Sequence, residues 1–176
     1  GKNVLTLKIY RWSTGSYLEC QDFWRISGIE RDVFLYSQPK AALKDFRVTS
    51  TLDDTYKDGI FKLGVDLRNN GSTAGNMTLV YELLDANGKV VATGEKATNV
   101  AAGETRTVSF DQTLPDVKTW TSEAPNLYKL VMTVKENGKV NEIIPFNVGF
   151  RRIEIKPTEQ LARNGKPYVC LFINGQ

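Results

Sequence analysis

The sequence predicts an all-β chain built around an immunoglobulin-like sandwich, on three observations. Between Ala42 and Val148 apolar and polar residues alternate in short runs with period two. Turn signals separate the runs: Asn69-Asn70-Gly71, Ala86-Asn87-Gly88-Lys89, Ala102-Gly103 and Asn137-Gly138. No window carries a convincing amphipathic helix. Roughly seven short strands in about a hundred residues is the spacing of a two-sheet sandwich.

The elements follow in order. Val4-Leu5-Thr6-Leu7-Lys8-Ile9-Tyr10 alternates, is partly β-branched, and reads as a strand. Asp32-Val33-Phe34-Leu35-Tyr36 reads as another, ended by Pro39. Phe46–Ser50, Ile60–Leu67, Met77–Leu84, Thr105–Phe110 and Leu127–Val134 are the strands of the middle region. Leu79, Tyr81, Leu83, Val108, Phe110, Leu130, Met132 and Val134 fall on alternate positions of these strands and are its candidate core. No cysteine pair lies where the antibody-type disulfide would sit. Beyond Phe150, Arg152–Lys156 alternates, Pro157 and Thr158-Glu159-Gln160 interrupt it, and Asn164-Gly165-Lys166-Pro167 makes a turn. Tyr168–Ile173 is the last strand.

Composition narrows the function classes. The 176 residues carry a net charge of +3 with no basic run, so a nucleic-acid surface is not indicated. No apolar stretch is long enough for a membrane helix. With no histidine, the commonest neutral-pH base and metal ligand is missing. Cys20 and Cys170 lie far apart and read as two separate thiols rather than a disulfide; a zinc site would need more ligands.

Arg11 to Val33 is different in kind. Two Trp, one Tyr and one Phe are interleaved with Arg, Asp and Glu, without a helical period and with only patchy alternation. Irregular polar-aromatic loops of this sort more often serve function than core. Glu19, Asp22, Glu30 and Asp32 are read as ion-pair partners for Arg11, Arg25 and Arg31 rather than as a catalytic acid pair. Trp12, Tyr17, Phe23 and Trp24 could stack on a sugar ring, but filling a junction between modules is the favoured reading.

The run Arg11-Trp12-Ser13-x-Gly15-Ser16-Tyr17-Leu18-Glu19-x-Gln21-Asp22-x-Trp24-Arg25 resembles the sugar-binding domain of the large β-galactosidases of glycoside hydrolase family 2. Ser27-Gly28-Ile29-x-Arg31-Asp32-Val33 resembles the end of that domain. Thr119–Tyr128 and Val148-Gly149-Phe150-Arg151 agree with the next domain, though glucuronidases and mannosidases of the family share them. The resemblance implies three parts: residues 1–39, the C-terminal part of a sugar-binding jelly roll; 40–149, an immunoglobulin-like sandwich; 150–176, the lead-in to a catalytic (β/α) barrel lying outside this chain. It implies a parent hydrolysing terminal β-galactosides with retention, and a segment that is a non-catalytic structural spacer.

No position matches the family's two catalytic glutamates, so this chain alone is expected to be inactive. Asp22 matches the aspartate that, in the family, helps hold galactose hydroxyls and a sodium ion. A carboxylate suits both tasks. The chain departs from the commoner pattern at Thr14 and Cys20, not at Asp22. Sodium and magnesium are implied for the parent only, and a monovalent ion should not be retained by this chain. The alternatives are a freestanding carbohydrate-binding or adhesion sandwich, or a relative acting on β-glucuronides or β-mannosides. Residues 1–38 supply only part of a sandwich, so Val4, Leu7, Ile9, Val33 and Leu35 should seek partners on the middle domain, on residues 168–174 or on a second copy, with self-association expected.

Overall fold

Alternation turns into strands wherever a neighbour is available to complete the backbone hydrogen bonds. A computed structural model describes residues 2–18 and 26–176 and divides the chain into two units, Gly1–Ser37 and Gln38–Gln176.

The second unit holds nine strands: β1 (Ala41–Leu52), β2 (Gly59–Asn69), β3 (Gly75–Leu84), β4 (Val90–Val100), β5 (Thr105–Leu114), β6 (Tyr128–Glu136), β7 (Lys139–Val148), β8 (Ile153–Leu161) and β9 (Pro167–Ile173). They form an antiparallel sheet β1-β2-β5, a second, β4-β3-β6-β7, and a separate two-stranded hairpin β8-β9. Three strands over four, around one core, is the expected immunoglobulin-like sandwich. Its fourth strand pairs with β3, not with β5, and so joins the four-stranded sheet.

Central strands make the core. Phe61, Leu63, Val65 and Leu67 of β2 face Met77, Leu79, Tyr81 and Leu83 of β3 and Leu130, Met132 and Val134 of β6, all fully or nearly fully buried. Every residue of the predicted core set is buried except Phe110, which is half-buried and packs against the cluster. The turn at Asn137-Gly138 joins β6 to β7 with both residues at positive φ, 48° and 82°, the conformation that suits a tight hairpin.

One polar side chain is sealed inside. Asn69 is buried, and both its amide protons and its amide oxygen find partners close by. Its Nδ2 donates to the carbonyls of Thr73 (2.8 Å) and Val100 (2.9 Å), and its Oδ1 accepts from the Gly71 amide (2.8 Å). This pins the crossings between the two sheets at one end. Glu142 on β7 ties the same end across the core, accepting the Leu43 amide at 2.8 Å beside the β1 bulge.

Beyond β7, the alternation of Arg152–Lys156 predicts a strand that stops at Pro157. β8 instead runs through to Leu161, with the irregularity absorbed between Pro157 and Leu161. Ile153, Ile155 and Pro157 pair with Ile173, Leu171 and Val169, which places apolar side chains together on one face of the hairpin.

The first unit differs from the alternation-based reading. Residues 4–10 and 32–36 are not strands, and a five-residue helix, α1 (Thr14–Leu18), stands in the loop between them. A strand needs a hydrogen-bonded neighbour, and no such neighbour exists among the described residues of this unit. α1 is one turn long, too short to leave a period in the sequence. Ser13 opens it: the Ser13 amide donates to Ser16 Oγ (3.1 Å), and the Ser16 amide donates to the Ser13 carbonyl (3.1 Å).

Candidate functional site

Around α1 the described aromatics of the first motif are Trp12 and Tyr17. Trp12 and Tyr17 stack on one another, 6.3 Å between centroids at 29°, and the Arg11 guanidinium lies 5.5 Å over Trp12. Trp12 is 50% exposed and Tyr17 76% exposed. Each ring therefore keeps accessible surface within this unit, but part of the Trp12 surface is already taken by Arg11 and Tyr17. Glu30 and Asp32 make no ion pair among the described residues, so the expected pairing with Arg11 and Arg31 is not formed there; Arg11 uses the Trp12 ring instead. Asp22, the predicted ligand, lies outside the described residues, as do Glu19, Cys20, Phe23, Trp24 and Arg25. Cys170 is an exposed free thiol on β9.

Several carboxylates of the second unit are occupied by fixed partners. Asp53 Oδ1 accepts the amides of Lys57 (3.0 Å) and Asp58 (3.1 Å), and its Oδ2 accepts the Thr55 hydroxyl (2.7 Å). The Thr55 hydroxyl above all, then the backbone amides, hold its pKa at about 2 against partial desolvation. Asp85 accepts the amides of Asn87 and Lys89 in the β3–β4 turn. Asp58 accepts the Asp116 amide. These are turn-building roles. Among the described residues no three of His, Cys, Asp and Glu come together as a metal cage.

Trp120 takes part in a turn. It bridges to Pro125 across a turn closed by the Thr121 hydroxyl accepting the Ala124 amide. The Arg151 guanidinium lies 4.5 Å over its ring.

The densest polar constellation was not foreseen. Tyr56, at the tip of the β1–β2 loop, donates its hydroxyl to Glu154 Oε2 (2.7 Å) and accepts from Lys156 Nζ (2.8 Å). Arg152 bridges Asp54 (2.6 Å) and Glu154 (3.1 Å), and Lys156 also pairs with Glu154 (3.0 Å). The Tyr56 hydroxyl, then Lys156, hold Glu154 below the usual carboxylate range. Tyr56 and Glu154 hold the Lys156 ammonium above its ordinary value. The only sequence trace is the polar run Asp53-Asp54-Thr55-Tyr56-Lys57-Asp58 between two apolar strands, which reads as a loop and nothing more.

A groove of about 440 Å³ lies between the β3–β4 turn and the segment joining β5 to β6. Val90, Val91, Leu114 and Leu127 line it, with Lys89 and Asp116 among its polar residues. It offers no convergent set of catalytic groups.

The second unit defines an immunoglobulin-like sandwich module. Residues 41–151 match Glycosyl hydrolases family 2, and residues 1–39 match the sugar binding domain of the same family. The chain belongs to glycosyl hydrolase family 2. It is 40% identical over 176 residues to a β-galactosidase of Priestia megaterium, covering 99% of this chain and 17% of that protein. It is 40% identical over 175 residues to a β-galactosidase of Halalkalibacterium halodurans, covering 99% of this chain and 16% of that protein. The chain thus spans about a sixth of the length of these curated relatives. Among solved structures, the exo-chitosanase CsxA of Amycolatopsis orientalis superposes with a TM-score of 0.68 at 21% identity, over 85% of this chain and 17% of that one. At that identity the likeness concerns the fold.

Proposed function

We propose that this chain is the spacer segment of a larger family 2 hydrolase that cleaves terminal β-galactosides with retention, and that it is non-catalytic on its own. The observation that carries this reading is the 40% identity to a β-galactosidase across 99% of the chain, which includes the Trp12-to-Arg25 motif. The chemistry supports it. A retaining glycosidase sets two carboxylates about 5–5.5 Å apart, one as nucleophile and one as acid/base, across the scissile bond. The carboxylates that build turns here are bonded to backbone amides, and Glu154 is neutralised by two cations. The segment's work is spacing: it carries the sugar-binding part at one end and the barrel lead-in at the other.

Asp22 is the residue through which this segment would touch substrate. Its carboxylate would accept hydrogen bonds from galactose hydroxyls and would be an oxygen ligand for sodium, as the resemblance to the family implies.

The test is hydrolysis of aryl β-galactoside, β-glucuronide and β-mannoside by the whole gene product that contains this segment, beside the 176-residue chain. Cleavage of the galactoside by the whole product, with none by the chain, supports the reading. Preference for the glucuronide or mannoside overturns the substrate assignment, and activity of the chain alone overturns the spacer role.

A further inference from the structure

We propose that the β8-β9 hairpin is a hinged element that opens as a unit from the intact sandwich, held closed by a polar latch centred on Tyr56.

Burial marks the hinge. Phe150 is completely buried, and its carbonyl accepts the Trp120 amide at 2.8 Å, which fixes the end of the sandwich. From Arg151 to Gln176 no residue is buried. The hairpin adds nothing to the apolar core, and a two-stranded hairpin alone is at best marginally stable in water. Its free energy of opening is therefore set by what ties it to the sandwich, not by the core.

Those ties are few and polar. Beside the hinge, Asn174 closes the hairpin on Arg152: the Asn174 amide donates to the Arg152 carbonyl (2.8 Å), and the Arg152 amide donates to Asn174 Oδ1 (2.9 Å). The Asn174 Nδ2 then donates to the Trp120 carbonyl at 3.0 Å. Further out, Tyr56 engages both β8 and Gly175, two residues past the end of β9. Its hydroxyl sits between Glu154 and Lys156, its ring lies 5.5 Å from the Arg152 guanidinium and 5.4 Å from the Lys156 ammonium, and Gly175 packs on its face. A Cβ at Gly175 would stand 2.8 Å from Tyr56 Cε2, so the backbone approaches the ring closely. Asp54 completes the set through Arg152.

The loop is prepared to present this ring. Tyr56 sits at φ 58°, a costly conformation for a bulky residue, and its amide donates to the Asp53 carbonyl. The Asp53 side chain braces the same loop through Thr55, Lys57 and Asp58. Strain at the tip is thus held from the sandwich side and spent on contacts to the hairpin. Charged contacts at partly exposed positions make the latch sensitive to ionic strength.

Hydrogen exchange by NMR on the 176-residue chain reads the latch directly. The expected result is exchange of β8 and β9 amides through a local opening, while β2, β3 and β6 amides exchange only on global unfolding. Tyr56→Ala, Tyr56→Phe and Asp54→Asn should each speed β8-β9 exchange, Tyr56→Ala by roughly tenfold or more, with core exchange and the melting midpoint hardly moved. High salt should act in the same direction. Should Tyr56→Ala not fold, Asp54→Asn decides, since its side chain is 95% exposed and builds no loop. Wild-type β8-β9 amides exchanging together with the core, or Tyr56→Phe and Asp54→Asn both leaving hairpin exchange within about twofold of wild type, would overturn the proposal.

Discussion

Tyr81 meets Phe110 edge-on, 4.8 Å between ring centroids at 67°, and its hydroxyl is sealed in the core with no protein partner among the described residues. Burial pushes the phenol pKa up. A buried polar group without a partner forfeits its hydration for nothing, whereas the ring itself is well packed. Tyr81→Phe should therefore stabilise the sandwich by about 1 kcal/mol in chemical denaturation. A loss of stability of that size would mean that the hydroxyl is satisfied.

Leu130 lies near the start of the central strand β6, fully buried between its neighbours β3 and β7. Leu130→Ala should cost ~2–5 kcal/mol, because it removes apolar contact and leaves a cavity. Ile143 on the edge strand β7 is 62% exposed, so Ile143→Ala should change stability by less than about 0.5 kcal/mol. Equal effects at the two sites would mean that the sheet faces are wrongly assigned.

These two positions also show what the sequence can carry. Central strands are buried on one face along their whole length, so β2, β3 and β6 print a clean alternation. The edge strands β4 and β7 are covered only in part, and neither was read as a strand from its residues. Val4–Tyr10 shows the reverse failure: its pattern is that of a strand, but pairing is a property of the neighbour. The site was less legible than the fold. Asp22 is a candidate only through the resemblance of a long motif, because a lone carboxylate has no periodicity. The Tyr56 latch depends on a positive φ and on residues about a hundred positions away, neither of which a linear reading exposes.

Acid should loosen the β1–β2 loop in a defined window. Asp53 has its pKa lowered to about 2 from 3.8, chiefly by the Thr55 hydroxyl. A depressed carboxylate contributes stability that is fully present above the unfolded value and is lost as pH falls through the folded one. Between pH 4 and 2 the amides of Lys57 and Asp58 should lose protection, while β3 and β6 stay protected. Asp53→Asn should remove this acid dependence. An Asp53 carboxyl titrating near 4 by NMR would exclude the mechanism.

The first unit exposes apolar side chains that strand pairing would otherwise cover. Val4 is 82% exposed and Leu35 is 88% exposed, with Leu7, Ile9 and Val33 also more than half or half exposed. Surface of this kind associates with other chains. Light scattering on the 176-residue chain should show a mass that rises with concentration, and Leu35→Lys should reduce the rise. A strict monomer across a hundredfold concentration range would count against self-association.

Asp22→Asn in the whole gene product is the last and most specific expectation. The substitution keeps size but turns one acceptor oxygen into a donor amide and removes the charge that helps hold a cation. Galactoside turnover should fall, by about tenfold or more given the loss of a charged hydrogen bond to substrate. Any sodium dependence of the rate should weaken in parallel, while the melting midpoint stays within a degree or two. The parallel is the informative part. A turn-building aspartate resembles Asp53 or Asp85, whose carboxylates hold backbone amides, and its loss would move stability and leave the sodium response unchanged. Wild-type kinetics with an unaltered sodium response would return Asp22 to that structural class.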